Sequence, residues 1–170
     1  MNDTLRTAVK DLAAKFNGQE SEFRGDVRVL LDSEHIIAAS QRLRDDYGFE
    51  MLADLTAVDY WPKIAPRFHV VYRFRSIKHN TDIQIRVPVP AEKPSLPTLE
   101  DVYPSANWYE REIWDMFGIR FVGHSNLRRI LMPHDWQGHP LRKDYPLGYE
   151  EIQFTFNFDE IDLRKPYVKE

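Results

Sequence analysis

The stretch Phe68-His69-Val70-Val71-Tyr72-Arg73-Phe74-Arg75-Ser76, followed after Ile77-Lys78-His79-Asn80-Thr81 by Asp82-Ile83-Gln84-Ile85-Arg86-Val87-Pro88-Val89, decides the fold class. In its first half Phe68, Val70, Tyr72 and Phe74 alternate with His69, Val71, Arg73 and Arg75. In its second half Ile83, Ile85, Val87 and Val89 alternate with Gln84, Arg86 and Pro88. A two-residue period puts one set of side chains on a core and the other toward water, the pattern of an antiparallel sheet covered on one face. The break at Lys78–Thr81 predicts a hairpin. Pro88 and Pro90 have no N–H for a ladder, so the second strand is expected to end at a sheet edge.

Helical signals flank this pair. Leu5, Val9, Leu12, Ala13 and Phe16 recur at three- and four-residue steps and predict a helix over Thr4–Phe16, stopped by Asn17-Gly18. Val27–Leu31 reads as a short strand. Asp32 or Ser33 then offers an N-cap for a helix to about Tyr47, with Ile36, Ile37, Ser40, Leu43 and Tyr47 inward and Gly48 at its end. Phe49–Val58 reads as a strand in which Ala53 and Asp54 break the pattern. Pro94–Pro104 is proline-spaced, with a helical turn from Thr98. A helix over Ser105–Phe117 places Tyr109, Ile113, Met116 and Phe117 on one side, and Gly118 closes it. Beyond it Pro133, Pro140, Pro146 and Pro166 interrupt the chain, and Phe154, Phe156 and Phe158 alternate like a short strand. The expected fold is α+β: a small mixed, mainly antiparallel sheet with flanking helices over residues 1–118. An extended proline- and aromatic-rich C-terminal arm over residues 119–170 is expected to follow it and to lie on another protein.

Composition removes several functions. The 170 residues are 42% hydrophobic and 29% charged, ordinary for a globular chain. With no Cys there is no disulfide, thiol nucleophile or cysteine-ligated cluster. Apolar runs such as Val29-Leu30-Leu31 fall far short of the roughly 20 residues that a membrane helix needs. Met1-Asn2-Asp3-Thr4-Leu5 does not read as a secretory leader. A net charge of −4, from 23 basic and 27 acidic residues, argues against a nucleic-acid binder. The seven glycines include no G-x-G-x-x-G spacing and no Gly-Lys-Ser/Thr, so no phosphate cradle is visible.

Three patterns could carry chemistry. His124, His134 and His139 cluster, but their spacings put no pair on one helical face. Gly123-His124-Ser125-Asn126-Leu127 is a partial nucleophile elbow with Leu127 where a glycine belongs. Glu110-Arg111-Glu112-Ile113-Trp114-Asp115 is the densest charge pattern; on a helix Glu112 and Asp115 share a face, and Arg111 and Asp115 stand four apart. With Arg128 and Arg129 beyond a turn, pairing of guanidinium with carboxylate, within the chain or across an interface, outweighs acid–base catalysis.

Glu110-Arg111-Glu112-Ile113-Trp114-Asp115-Met116-Phe117-Gly118-Ile119, His124, Leu127-Arg128-Arg129-Ile130-Leu131 and Gly138-His139-Pro140-Leu141-Arg142-Lys143-Asp144-Tyr145-Pro146-Leu147 closely resemble the signature of the C subunit of respiratory NADH–quinone oxidoreductase, the 30 kDa subunit family of complex I. Weaker matches extend through Asp54–Tyr60 and Arg67–Tyr72. Family members often carry proline where this chain has Ser125. The resemblance implies a peripheral-arm subunit without flavin or cluster of its own, packed beside the D subunit and near subunits B and I. The peripheral arm would sit on the cytoplasmic face of the inner membrane, which this subunit meets only indirectly. The complex carries FMN, Fe–S clusters, NADH and quinone, and translocates protons. Scaffolding is then the expected role, with Trp108, Trp114, Trp136 and Tyr145 as aromatic anchors and Arg128, Arg129, Arg142 and Lys143 as partners for carboxylates. The equivalent subunit of a ferredoxin-fed photosynthetic complex or of a membrane-bound nickel–iron hydrogenase fits nearly as well. A hydrolase using His124, Ser125 or His134, and a free binding module, are more distant readings.

Overall fold

The computed structural model describes residues 3–146. The expected strand through Phe154, Phe156 and Phe158 lies outside the described residues. Helix α1 spans Asp3–Phe16, followed by β1 (Gln19–Phe23) and β2 (Asp26–Leu30). A 3-10 turn at Ser33–His35 leads into α2 (Ile36–Tyr47). Strands β3 (Met51–Asp59), β4 (Phe68–Ser76) and β5 (Thr81–Val89) follow, then β6 (Ser95–Pro97), α3 (Ala106–Phe117) and β7 (Arg120–Val122).

The main sheet has the order β1-β2-β5-β4-β3. All its pairings are antiparallel except β2 with β5, so the sheet is mixed and mainly antiparallel as expected. Phe68, Val70, Tyr72 and Phe74 stand opposite Val89, Val87, Ile85 and Ile83, and all eight are essentially inaccessible to solvent. Leu5, Val9 and Leu12 of α1, Ile36 and Leu43 of α2, and Ile113, Met116 and Phe117 of α3 belong to the same core. The period of two in the strands and the stripes on the helices thus meet in one apolar layer.

Within the main sheet the structure departs from the sequence reading at two strands and explains the broken pattern of a third. Strand β5 is central rather than at an edge. Pro88 is nevertheless tolerated, because Leu31 N–H donates to Arg86 O and the backbone of Pro88, two residues on, points the same way, past the last pairing with β2. Strand β1, Gln-Glu-Ser-Glu-Phe, gives no strand signal in the sequence: it is fully exposed and has no apolar alternation. In β3 the register shifts between Leu52 and Asp54, which moves the buried phase from Leu52 to Leu55 and Ala57.

Packing does not stop at Gly118, the boundary expected between body and arm. Ile119 and Phe121 are buried in the same core, and β7 pairs in parallel with β6. Gly118 ends α3 in the left-handed conformation, φ 72°, with its N–H donating to Trp114 O.

Candidate functional site

The signature residues converge on α3 and its C-terminal end. A helix leaves its last four carbonyls without intrahelical partners. Here each is satisfied. Gly118 N–H donates to Trp114 O, His139 Nδ1 stands 2.9 Å from Asp115 O, Leu141 N–H donates to Met116 O at 3.0 Å, and Arg142 Nε donates to Phe117 O at 2.5 Å. Three of the four partners come from the segment His139–Arg142. Burial keeps His139 below its ordinary pKa, so the ring is neutral and donates from Nδ1. The close seat explains the glycine: a Cβ on Gly118 would lie 2.5 Å from the His139 ring and 2.8 Å from Arg142 Nη2. Gly138 is constrained likewise, with φ 82°, and a Cβ there would lie 2.7 Å from the Tyr145 ring.

Asp115 is wholly buried and organises the loop that follows. Its Oδ1 accepts from Arg129 Nη1 at 2.5 Å, and its Oδ2 accepts the N–H groups of Ile130, Leu131 and Met132 at 2.8–3.0 Å. Burial alone would raise its pKa; the Met132 N–H, Arg129 and the other two N–H groups outweigh it and hold it below the usual carboxylate range. Arg129 continues to Trp136 O and Gly138 O through Nη2 at 2.7 and 3.0 Å and lies over the Trp114 ring. Arg111 does not pair with Asp115 across its helical turn. It donates to Arg128 O and Arg129 O, each at 3.2 Å, and covers the Trp108 ring. Glu112 and Asp115 do not share an environment either: Asp115 is enclosed by the loop, and Glu112 is exposed to solvent.

A second cluster joins the signature residue Asp144 to the buried Arg67 and Asp59, a pairing the sequence reading does not foresee. Arg67 clamps Asp59 with Nε and Nη2 at 3.0 and 2.8 Å, and Asp144 with Nη1 and Nη2 at 2.8 and 2.6 Å. Lys143 N–H and Trp61 N–H complete Asp59, both at 2.9 Å. Burial pushes Asp59 upward, but Arg67 and these two N–H groups outweigh it and hold the carboxyl at about 2. The two carboxylates, Asp144 first, raise Arg67 above its ordinary value. One signal does point to it: Asp59 extends the buried phase Leu55, Ala57 by one more step of two.

Glu110 is also wholly buried, accepting Leu99 N–H at 2.7 Å and the Thr98 hydroxyl at 2.5 Å. Its burial raises its pKa to about 7 against those two hydrogen bonds. Beside it, Glu100 accepts from the Ser125 hydroxyl and N–H at 2.7 and 2.9 Å and from Asn107 Nδ2 at 2.7 Å; the Ser125 bonds lead in holding it at about 2. His124 is locked: Nδ1 accepts Asn126 N–H and Nε2 faces Asn107 O, both at 3.0 Å, which assigns the Nε2–H tautomer.

The remaining candidates are more exposed. Lys143, His134 and Arg128 lie at the surface, as does Trp108 at 61% accessibility. Trp114 meets the His139 ring edge-on, Trp136 is half-buried with its indole N–H unpartnered, and Tyr145 donates to Gln137 O at 3.4 Å. The three histidines do not converge, and among the described residues no group of three or more His, Cys, Asp or Glu is placed to hold a metal. Among them too, no helix is long and apolar enough to cross a membrane.

Comparison with known proteins agrees with this signature. The family described as "Respiratory-chain NADH dehydrogenase, 30 Kd subunit" matches residues 29–151. The C subunit of NADH-quinone oxidoreductase from Roseiflexus sp. (strain RS-1) is 50% identical, over 99% of this chain and 95% of its own. That of Herpetosiphon aurantiacus is 46% identical, over 90% and 88%. A solved trypsin-resistant fragment (1–134) of Nqo5 superposes with a TM-score of 0.64 at 34% identity, over 73% of this chain and 99% of the fragment. A chain of an archaeal membrane-bound sulfane sulfur reductase shares the fold, with a TM-score of 0.73 at 18% identity, over 99% and 95%. With the α3 signature in place and its loop folded around Asp115, the chain belongs to the 30 kDa subunit family of respiratory-chain NADH dehydrogenase, as a peripheral-arm subunit of complex I.

Proposed function

We propose that this chain is a structural subunit that holds no cofactor and performs no step of electron transfer, supporting neighbours that carry FMN, Fe–S clusters, NADH and quinone. One observation carries the reading: the acids and bases of the signature are spent on the chain itself. Asp115 accepts three backbone N–H groups and a guanidinium, Glu110 accepts a backbone N–H and a hydroxyl, and His124 is held at both ring nitrogens. A general acid or base needs a free site within hydrogen-bond reach of a substrate. Asp115 and His124 instead fold the loop 123–145 against α3, and Glu110 holds the segment at Thr98 and Leu99 there. On this reading the D subunit lies against the loop, subunits B and I lie near it, and the peripheral arm that they form sits on the cytoplasmic face of the membrane. Surface apolar groups support a docked position: Trp108, Leu131 and Leu141 are each more than half exposed.

The test is gentle purification through a tag on this chain, followed by mass analysis of the companions. Recovery of subunits that carry iron–sulfur cysteines and a flavin is the expected result. A stable lone chain, with those subunits assembled elsewhere in the same cells, contradicts the reading. A nickel centre in the companion would assign the chain to a hydrogenase relative instead.

A further inference from the structure

The face of the main sheet opposite the core carries a row of arginines, and they are not all treated alike. Arg73 lies 3.3 Å from Asp82 and 3.7 Å from Asp26, and Arg75 lies 3.0 Å from Asp82. Arg28 and Arg86 have no such neutralisation: among the described residues neither has a carboxylate in salt-bridge reach. Their placement follows from register. In the parallel pairing of β2 with β5, Arg28 stands beside Gln84 and Leu30 beside Arg86, so the two guanidiniums are diagonal neighbours on one face.

Each is fixed but incompletely used. Arg86 Nε donates to Gln84 Oε1 at 3.0 Å and its Nη1 to the Tyr60 hydroxyl at 3.4 Å. Arg28 lies over the Phe23 ring at 4.9 Å, and its Nε is buried with no hydrogen-bond partner among the described residues. His69, two strands from Arg28, also has a buried Nδ1 with no hydrogen-bond partner among the described residues, and its ring meets Tyr60 edge-on. Arg28, Arg86 and His69 line one recess of about 260 Å³, with Gln19, Ser21 and Leu30. Glu20, the one acidic residue on its rim, stands opposite Val29, whose side chain is in the core, and makes no ion pair with either arginine.

We propose that this recess receives the carboxylate of an aspartate or glutamate presented by a neighbouring polypeptide of the complex. Two held guanidiniums, one with an unsatisfied N–H, form the planar donor set that binds a carboxylate. The surroundings favour a protein source over a free anion. The recess opens beside β1, whose residues are all exposed, and beside Phe23, 52% accessible, so an apolar group borders the charged centre. That pairing of apolar border and partly buried charge suits a polypeptide partner. The inference rests on the subunit reading above.

The experiment uses the complex purified through this chain. Arg28→Lys and Arg86→Lys keep the charge and supply an amine, and a zero-length carbodiimide then joins that amine only to a carboxylate in contact. A cross-link from position 28 or 86 to an aspartate or glutamate of one other subunit is the expected result. Arg28→Glu with Arg86→Glu should weaken retention of that same subunit roughly tenfold or more at moderate salt, with the circular-dichroism spectrum unchanged. An intact complex that gives only cross-links within this chain, or none, overturns the inference and leaves the subunit reading standing. So does protection of the full-length chain from heat by millimolar inorganic phosphate or acetate without any inter-subunit cross-link, because the site then serves a free anion. Failure of the unsubstituted chain to bring down any companion removes the subunit reading, and this inference with it.

Discussion

Glu110 sits between Leu99 N–H and the Thr98 hydroxyl and, unlike Asp59 and Asp115, has no guanidinium paired with it among the described residues. Its carboxyl, raised by burial to about 7, binds a proton more tightly in the folded chain than in the unfolded one. Between the unfolded value and about 7 the native state holds more protons, so stability falls as pH rises through that window. The shift corresponds to a loss on the order of 3 kcal/mol. Glu110→Gln, which keeps the acceptor and adds a donor toward Thr98, should flatten the decline of denaturation midpoint between about pH 5 and 8 relative to the parent chain. An unchanged pH slope would show that Glu110 titrates like a surface carboxylate. The sequence reveals the residue but not its state. Helical spacing puts Ile113, Met116 and Phe117 on the buried side of α3, where the structure has them, whereas Glu110, Arg111 and Asp115 read as a charge pattern and are buried too. Their partners, Leu99, Arg128 and Arg129, come from segments outside the helix, and no helical period reports them.

At the scale of elements, the strands and helices with strong periodicity are legible nearly to the residue: β4, β5, α1 and α3. What escapes has a local physical reason. The residues of β1 face water on both sides, the bulge of β3 breaks its period at Ala53, and Pro88 is accommodated only because β2 ends beside it. The join between α3 and the segment His139–Arg142 is the element-level counterpart. Its weak point is Gly118, which combines φ 72° with a Cβ position 2.5 Å from the His139 ring. Gly118→Ala should cost roughly 1–3 kcal/mol by backbone strain alone. Limited proteolysis should then cut within residues 123–145 sooner than in the parent chain. Equal cleavage in both chains would mean that the segment is not held by this contact.

For the whole molecule, two charge clusters act as an interlock. Asp115 with Arg129 folds the loop after β7, and Arg67 joins Asp59 at the end of β3 to Asp144 near the end of the described chain. The signature is therefore a folding instruction, and the exposed Trp108, Leu131 and Leu141 are the surface that it presents. Among the described residues the expected arm is in part a strap closing on its own body, as far as Asp144.

The most direct measurement is NADH–quinone turnover per assembled complex, alongside the amount of complex assembled, in membranes carrying Arg67→Ala. Loss of this guanidinium strands Asp59 in the interior, at about 3–5 kcal/mol, so the quantity of assembled complex should drop sharply while each remaining complex turns over as before. A full complement of assembled complex with slowed turnover would contradict a purely structural role for these residues.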